Sequence, residues 1–209
     1  MTSITTLILF ILAQFTGIDD DNIRLDGMIS KTEWAGASEY DLSSGGKLYV
    51  LRKGNDLYLG IKGTDPGWAH VYLHWKDSVR VLHASAALGD QVYIQRENWK
   101  LQKKFNWELR EFVYDEKLVQ KQEAYFKKNG WCANNNNAGD KKTLEFRIDL
   151  ARHGNTELRF ASLYTADAKN LSYYPSTLTD NTLLQDLVSG SNPDNLQFKT
   201  SDWVKVKLD

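Results

Sequence analysis

The sequence predicts an all-β protein, an antiparallel β-sandwich of the jelly-roll-like kind, and three observations support this prediction. Short stretches in which apolar and polar residues alternate recur along the chain, a pattern typical of strands with one buried face. Turn-forming Gly, Asn, Asp and Pro separate these stretches,. Only residues 115–128 carry a pattern that favours a short helix,. We therefore expect roughly nine or ten short strands in two sheets.

The first elements form a hairpin. Residues 47–52 and 57–62 alternate in hydrophobicity, and a Gly-Asn-Asp turn at residues 54–56 joins them,. A strand follows at residues 69–75, with Trp75 on the apolar face, where we expect it to be a core residue,. Small residues at 84–89 predict a closely packed corner. Further strands are predicted at residues 79–83, 91–95, 144–150, 158–164 and 203–208,.

The region at residues 97–128 is the ambiguous part of the chain because it mixes aromatic and charged residues. Residues 107–114 fit a strand, whereas residues 115–128 fit a short helix rich in good helix formers,. An asparagine-rich loop at residues 134–140 follows and is predicted to form part of a rim,. Neither a repeat nor a Pro/Ser-rich linker divides the sequence. Residues 18–209 are therefore expected to form a single sandwich domain.

Composition and charge narrow the functional classes. The formal net charge of −1 creates no overall field that would attract nucleic acid or an anionic membrane,. Seven Trp and ten Tyr exceed what a core of this size needs, so some of them are expected at the surface. The single cysteine, Cys132, cannot form an intramolecular disulfide, and no catalytic motif surrounds it,.

The amino terminus predicts export. Residues 1–17 contain the apolar run 7–13, which suits a signal peptide and is shorter than the roughly 20 residues needed to span a bilayer,. Residues 1–6 carry no Lys or Arg, which leaves an N-terminal strand or a mis-assigned start as alternatives. We expect a secreted or periplasmic protein without membrane insertion. The acidic residues 19–21 are the candidate calcium ligands, and no other cofactor is predicted,.

The motifs of common enzyme classes are absent, so the sequence favours a non-catalytic protein,. His70 and His74 share a strand face but lie about 13 Å apart, too far to ligate one metal,. His83 could approach either of them across a hairpin, although hydrogen-bonded imidazoles are expected there. His83 and Ser85 could pair as base and nucleophile, but no orienting acid is evident,. A carboxylate pair for glycoside hydrolysis also stays open.

The stretch at residues 25–65 resembles the opening of family-9 carbohydrate-binding modules and of the related DOMON-like sandwiches. Those domains begin with an I-D-G-x-I-x-x-x-E-W element, followed by a hairpin arm that reads D-L-Y-L-x-V-x-x-x-D. The matching residues here are Asp26, Gly27, Ile29, Glu33, Trp34, Asp56, Leu57, Tyr58, Leu59, Ile61 and Asp65. Residues 144–150 and 158–161 look like the late strands of the family. Some DOMON-like domains hold a haem, which would need axial ligands. Met28 is the only methionine beyond Met1, and we expect it to pack in the core or as a hydrophobic staple of the opening turn.

The resemblance implies a sandwich fold and a carbohydrate ligand, held in family-9 modules between two tryptophans. Aromatic rings stack on the apolar faces of sugars, whereas planar polar side chains bind the hydroxyl groups. The candidate ligand-binding residues lie beside turns and loops and are Trp68, Trp131, Trp99, Trp107, Asn135, Arg96 and Glu97. We expect Trp34, Trp75 and Trp203 to be core residues. The alternatives are a glycan-acting hydrolase or small metalloenzyme, and a structural domain that docks on another exported protein.

Overall fold

The computed structural model of the chain describes residues 23–110, 113–134, 141–153, 158–166, 170–185 and 195–206. The strands are β1 (Ser38–Asp41), β2 (Lys47–Lys53), β3 (Asp56–Lys62), β4 (Trp68–Trp75), β5 (Ser78–Ala84), β6 (Leu88–Gln95), β7 (Trp99–Lys103), β8 (Trp131–Ala133), β9 (Thr143–Asp149), β10 (Leu158–Thr165), β11 (Leu171–Tyr174), β12 (Asn195–Leu196) and β13 (Val204–Val206). The helices are α1 (Glu116–Asn129) and α2 (Asn181–Gln185). Short 3-10 helices occupy Leu150–His153 and Thr200–Asp202.

Two antiparallel sheets confirm the predicted all-β sandwich. The five-stranded sheet has the order β1-β2-β3-β9-β8. The eight-stranded sheet has the order β11-β10-β4-β5-β6-β7-β12, with β13 also pairing with β10. The hairpin predicted at the start of the chain forms as β2 and β3, where Lys53 pairs with Asp56 across the turn.

The main core lies between the two sheets. Alternate residues of β3, such as Leu57 and Leu59, point inward and are almost fully buried. They share one apolar cluster with Val71 and Leu73 of β4 in the opposite sheet. Burial of such side chains contributes roughly 1.5–3 kcal/mol each to the free energy of folding, so this cluster holds the two layers together.

Each sheet also has a covered outer face. The segment that precedes β1 packs Ile23 and Trp34 against Tyr58 on the outside of the five-stranded sheet. On the outside of the eight-stranded sheet, Phe198 and Trp203 from the carboxyl-terminal segment pack against neighbours from several strands. Outward-pointing residues are therefore buried in both sheets, which strand alternation alone does not reveal.

Helix α1 has well-defined ends. Asp115 caps its amino terminus by accepting the Leu118 N–H at 2.8 Å,. Gly130 ends it in the left-handed conformation, with φ of 72°, and donates its N–H to the carbonyl of Phe126,. A Cβ atom on Gly130 would lie 2.4 Å from Cδ of Arg152, so a side chain there would displace that arginine. The helix predicted at residues 115–128 is thus confirmed.

Some predicted elements are wrong or different. Residues 107–110 form no strand, since only an isolated bridge joins Glu108 to Leu88. Helix α2 was not predicted, and the described part of the last strand ends at Val206. The predicted signal peptide and the acidic residues 19–21 lie outside the described residues. Among the described residues, no helix has both the length and the apolar character needed to cross a membrane.

Candidate functional site

Two of the tryptophans predicted to bind sugar at the surface are core residues, so their predicted surface position is wrong. Trp131 is 0% exposed on β8, where Tyr125 and Phe146 pack against its ring. Trp99 is 4% exposed on β7 and packs against Phe198. Neither ring has a face that a ligand can reach. Their proximity to turns misled the prediction because α1 and the carboxyl-terminal segment cover them.

The remaining predicted residues do not converge on one site. Trp107 is 42% exposed and Trp68 is half-buried, both at the end of the eight-stranded sheet where β6 begins. Arg96 and Glu97 are exposed in the turn that follows β6. The length of β6 separates the two ends by about 23 Å at the usual rise per residue. Asn135 lies outside the described residues.

Sequence reasoning missed a groove on the inner face of the eight-stranded sheet. It has a volume of about 280 Å³, close to the lower end of the range for ligand sites,. Its lining residues are Leu73, Trp75, Ser78, Arg80, Asp90, Val92, Lys103 and Arg152. Cross-strand pairing aligns four of these residues in one row, in the order Leu73, Arg80, Val92, Lys103. The groove is thus built on four adjacent strands.

A charged network forms the polar part of the groove. Asp90 has a side chain only 4% exposed, and it accepts hydrogen bonds from Arg80 Nε at 2.9 Å and from Lys103 Nζ at 2.7 Å. The Lys103 side chain is 44% exposed, so its charge reaches solvent. Three cations and one carboxylate line the groove. Asp149 outside the lining also pairs with Arg152 at 3.3 Å, which leaves an excess of one positive charge. This balance favours an anionic ligand.

The carboxyl terminus of α1 holds both arginines of the groove in position. Arg80 Nη1 donates to the Asn129 carbonyl at 2.9 Å. Arg152 donates to the carbonyls of Lys127 and Lys128, the latter at 3.0 Å. The last carbonyls of a helix lack partners within the helix, and a cation there also interacts favourably with the helix dipole. The guanidinium groups are therefore fixed before any ligand arrives.

Trp75 supplies the aromatic surface of the groove. The prediction that it is a core residue needs correction, because Trp75 is only partly buried and packs against the edge of the main core. The ammonium group of Lys76 lies 4.5 Å from the centroid of its ring, and the Lys76 side chain is exposed. Trp75 is the last residue of β4, and the alternation of side chains along the strand does not reveal that it lines a groove.

The residues that carry the family resemblance cover a buried carboxyl group. Glu145 of β9 is 0% exposed and accepts hydrogen bonds from the Gly27 N–H at 2.6 Å and from Trp34 Nε1 at 3.1 Å. Burial raises the pKa of Glu145 well above its ordinary range, although these two donors oppose the shift,. Asp26 and Glu33 lie nearby, and burial raises the pKa of each. The motif residues Gly27 and Trp34 therefore cover the outer face of the five-stranded sheet.

The structure also places the histidines and the cysteine that were considered as metal ligands or nucleophiles. Within the described ranges, no group of three or more His, Cys, Asp or Glu side chains is arranged to hold a metal ion. His70 hydrogen-bonds to His83, whereas His74 packs separately against the rings of Trp99 and Trp203.

Cys132 is buried, which raises the pKa of its thiol to about 12. A thiolate nucleophile is therefore not available at neutral pH. Met28, expected to pack, is instead 50% exposed.

Comparison with protein-family models, with curated proteins and with solved structures found no match to this chain. The geometry of the described sites, together with the sequence resemblance stated above, is therefore the basis for a functional proposal.

Proposed function

We propose that the chain is a ligand-binding domain whose ligand is a carbohydrate, and that the ligand lies in the groove between Trp75 and Lys103. The observation that carries this proposal is the combination of an aromatic ring with fixed planar donors in one open cavity. Sugars need both features, because their C–H faces stack on rings while their hydroxyl groups bind polar side chains.

The charge of the groove narrows the ligand to an acidic saccharide. Arg80 uses Nε and Nη1 in its bonds to Asp90 and Asn129, so Nη2 is the nitrogen that remains for a ligand. Lys103 lies one strand beyond Val92, and more than two fifths of its side chain is exposed. A guanidinium group and an ammonium group together match a carboxylate on a sugar ring.

The family resemblance supports a carbohydrate ligand but suggests a different location for it. The motif residues Gly27 and Trp34 cover Glu145, and two of the predicted stacking tryptophans are buried. The proposed carbohydrate site is therefore the groove and not a pair of stacking tryptophans. Export, which the residues at 1–17 predict, is consistent with a domain that binds extracellular polysaccharide.

The test is isothermal titration calorimetry of the full chain with two oligosaccharides of equal length. One is an oligogalacturonate, which carries a carboxylate on each ring, and the other is a neutral cello-oligosaccharide. We expect binding of the acidic chain only, and a rise in its Kd with salt concentration because the contacts are ionic.

Two lysines of β7 provide a matched pair of variants. Lys103→Gln removes a charge from the groove, whereas Lys100→Gln removes an exposed charge that does not line it. We expect Lys103→Gln to weaken binding by roughly 2–5-fold, the size of a partly exposed ion pair, and Lys100→Gln to leave it unchanged. Absence of binding to both oligosaccharides, or equal effects of the two variants, would contradict the proposal.

A further inference from the structure

The outer face of the eight-stranded sheet holds a chain of three hydrogen-bonding side chains. His70 of β4 and His83 of β5 are directly paired across the two strands. Nδ1 of His83 lies 2.8 Å from Nε2 of His70, and Nε2 of His83 lies 2.9 Å from Oγ of Ser85. Both contacts have hydrogen-bonding length, so the two imidazoles and the hydroxyl group form one continuous relay.

The relay runs from the protein interior toward solvent. His70 and His83 are 4% and 8% exposed, whereas Ser85 is half-buried and is followed by the exposed Ala86. Burial lowers the pKa of His70 well below its ordinary range and the pKa of His83 to about 4. Both imidazoles are therefore neutral at pH 7, and only the serine end of the relay is open to a small molecule.

One arrangement of the protons has chemical consequences. If Nδ1 of His83 carries the proton and donates to His70, then Nε2 of His83 accepts the proton of the Ser85 hydroxyl,. A nucleophilic serine requires such a base, and the base requires a third group that fixes its tautomer and orientation. The sequence supplied no orienting acid, but the fold places the imidazole of His70 in that position.

The surroundings of the relay are aromatic and uncharged. Phe105 and Trp107 stack with ring centroids 5.2 Å apart, and the Trp107 ring lies edge-on, 4.8 Å from His83. Gly89 pairs with His83 and leaves room for these rings, since a Cβ atom there would lie 3.2 Å from Trp107. Trp107 also presents exposed ring surface to solvent. This environment suits an acyl group that is apolar or aromatic and carries no charge.

We propose that Ser85 is a nucleophile toward uncharged, activated acyl esters, with His83 as its base and His70 as the residue that positions His83. The bond from Oγ of Ser85 to the acyl carbon forms as the bond from that carbon to the leaving oxygen breaks. The Oγ proton passes to Nε2 of His83 and from there to the leaving oxygen. Water then attacks the acyl-serine and gives up a proton through His83, which releases the carboxylic acid and restores the hydroxyl group.

The experiment treats the full chain with p-nitrophenyl acetate and, separately, with a fluorophosphonate probe, then locates the adducts by peptide mass spectrometry. We expect modification at Ser85 in the folded protein and none in Ser85→Ala. The exposed serine of the β1–β2 turn gives the matched control, Ser44→Ala, which should leave the labelling of Ser85 unchanged. His83→Gln should slow labelling by about 10²–10⁴-fold, the usual contribution of a general base.

A pH profile separates this role from a purely structural one. The contacts of His83 are His70, Ser85, Phe105 and Trp107, none of them a charged side chain. Labelling should therefore persist from pH 7 down to about 5 and fall as His83 is protonated near pH 4. His70→Gln should shift the midpoint of this fall. A folded wild-type chain with no adduct at Ser85 would overturn the proposal without any variant, as would equal labelling of wild type and His83→Gln.

Discussion

The outer faces of the two sheets each bury a titratable side chain, and the two cases differ in how completely they are hydrogen-bonded. Glu145, on the five-stranded sheet, has a donor for each carboxyl oxygen, Gly27 for one and Trp34 for the other. His70, on the eight-stranded sheet, has His83 at one ring nitrogen, whereas Nδ1 has no hydrogen-bond partner in the described part of the chain. Both carboxyl oxygens of Glu145 are therefore hydrogen-bonded, whereas one ring nitrogen of His70 is not.

Burial acts with opposite signs on the two groups. It raises the pKa of the acid Glu145 and lowers the pKa of the bases His70 and His83, because it disfavours the charged form of each,. Acidification should therefore destabilise the imidazole side, and alkalinisation the carboxyl side. The same desolvation therefore gives the two sheets opposite dependence of stability on pH.

The largest effect is expected from Glu145→Ala. This change leaves the N–H groups of Gly27 and Trp34 buried without an acceptor. At about 1–3 kcal/mol for each unsatisfied donor, the free energy of unfolding should fall by roughly 2–6 kcal/mol in urea denaturation. The control is Glu123→Ala, which removes a half-exposed partner of Arg147 and should cost about 1 kcal/mol or less,. Equal losses for the two variants would refute the role assigned to Glu145.

Acid should weaken the imidazole side. Folded His83 binds its proton less tightly than unfolded His83, so its contribution to stability is complete above pH 6.5 and is lost as the pH falls to about 4,. A difference of this size corresponds to about 3 kcal/mol. Urea midpoints across this window should show the loss, and His83→Gln should flatten it. His74→Gln, outside the pair, should retain the slope, and the prediction fails if both variants behave alike.

A rise in pH should destabilise the side of the protein that holds Glu145. Glu145 holds its proton more tightly when folded, so its contribution is complete below its ordinary pKa and is lost as the pH rises through the raised value,. Asp26 and Glu33 contribute with the same sign. In a pH series, Glu145→Gln should reduce the decline in stability above pH 4.5. A decline as steep as that of the wild type would show that Glu145 is not its source.

The smallest change in stability is expected from Trp107→Ala, since this ring is 42% exposed. Its removal should alter the free energy of unfolding by about 1 kcal/mol or less. The same variant should open His83 to water and raise its pKa from about 4 toward the ordinary value, measured by NMR of the imidazole protons,. Trp131→Ala offers the contrast, with a loss of about 3–5 kcal/mol. An unchanged pKa of His83 would mean that Trp107 does not shield the pair.

The strands were predictable because alternation is a local property. The arms of the first hairpin, the strand through Val71 and Leu73, and the helix after Asp115 all follow from residue patterns within a few positions of each element,. No strand forms at residues 107–110, where the prediction rested on aromatic residues such as Trp107. The ring of Trp107 instead covers the neighbouring sheet near Gly89.

The sites were not predictable in the same way. An outward residue of a strand is buried wherever a distant segment crosses it, as the segment at Gly27 crosses Glu145. The groove depends on Arg152, which lies far along the chain from Arg80 and meets it at the end of α1. The sequence predicts that His83 can approach either His70 or His74, and the register of β4 and β5 selects His70.

Local periodicity and turn chemistry are enough to predict the all-β class, most strand positions, one helix and the separation of inward from outward side chains. The packing of the folded chain determines which outward residues are covered, and thus that Trp131 is core, that Trp75 lines a groove and that Glu145 is buried. The physical reason is that burial and the pKa shifts it causes depend on segments brought together from distant parts of the chain.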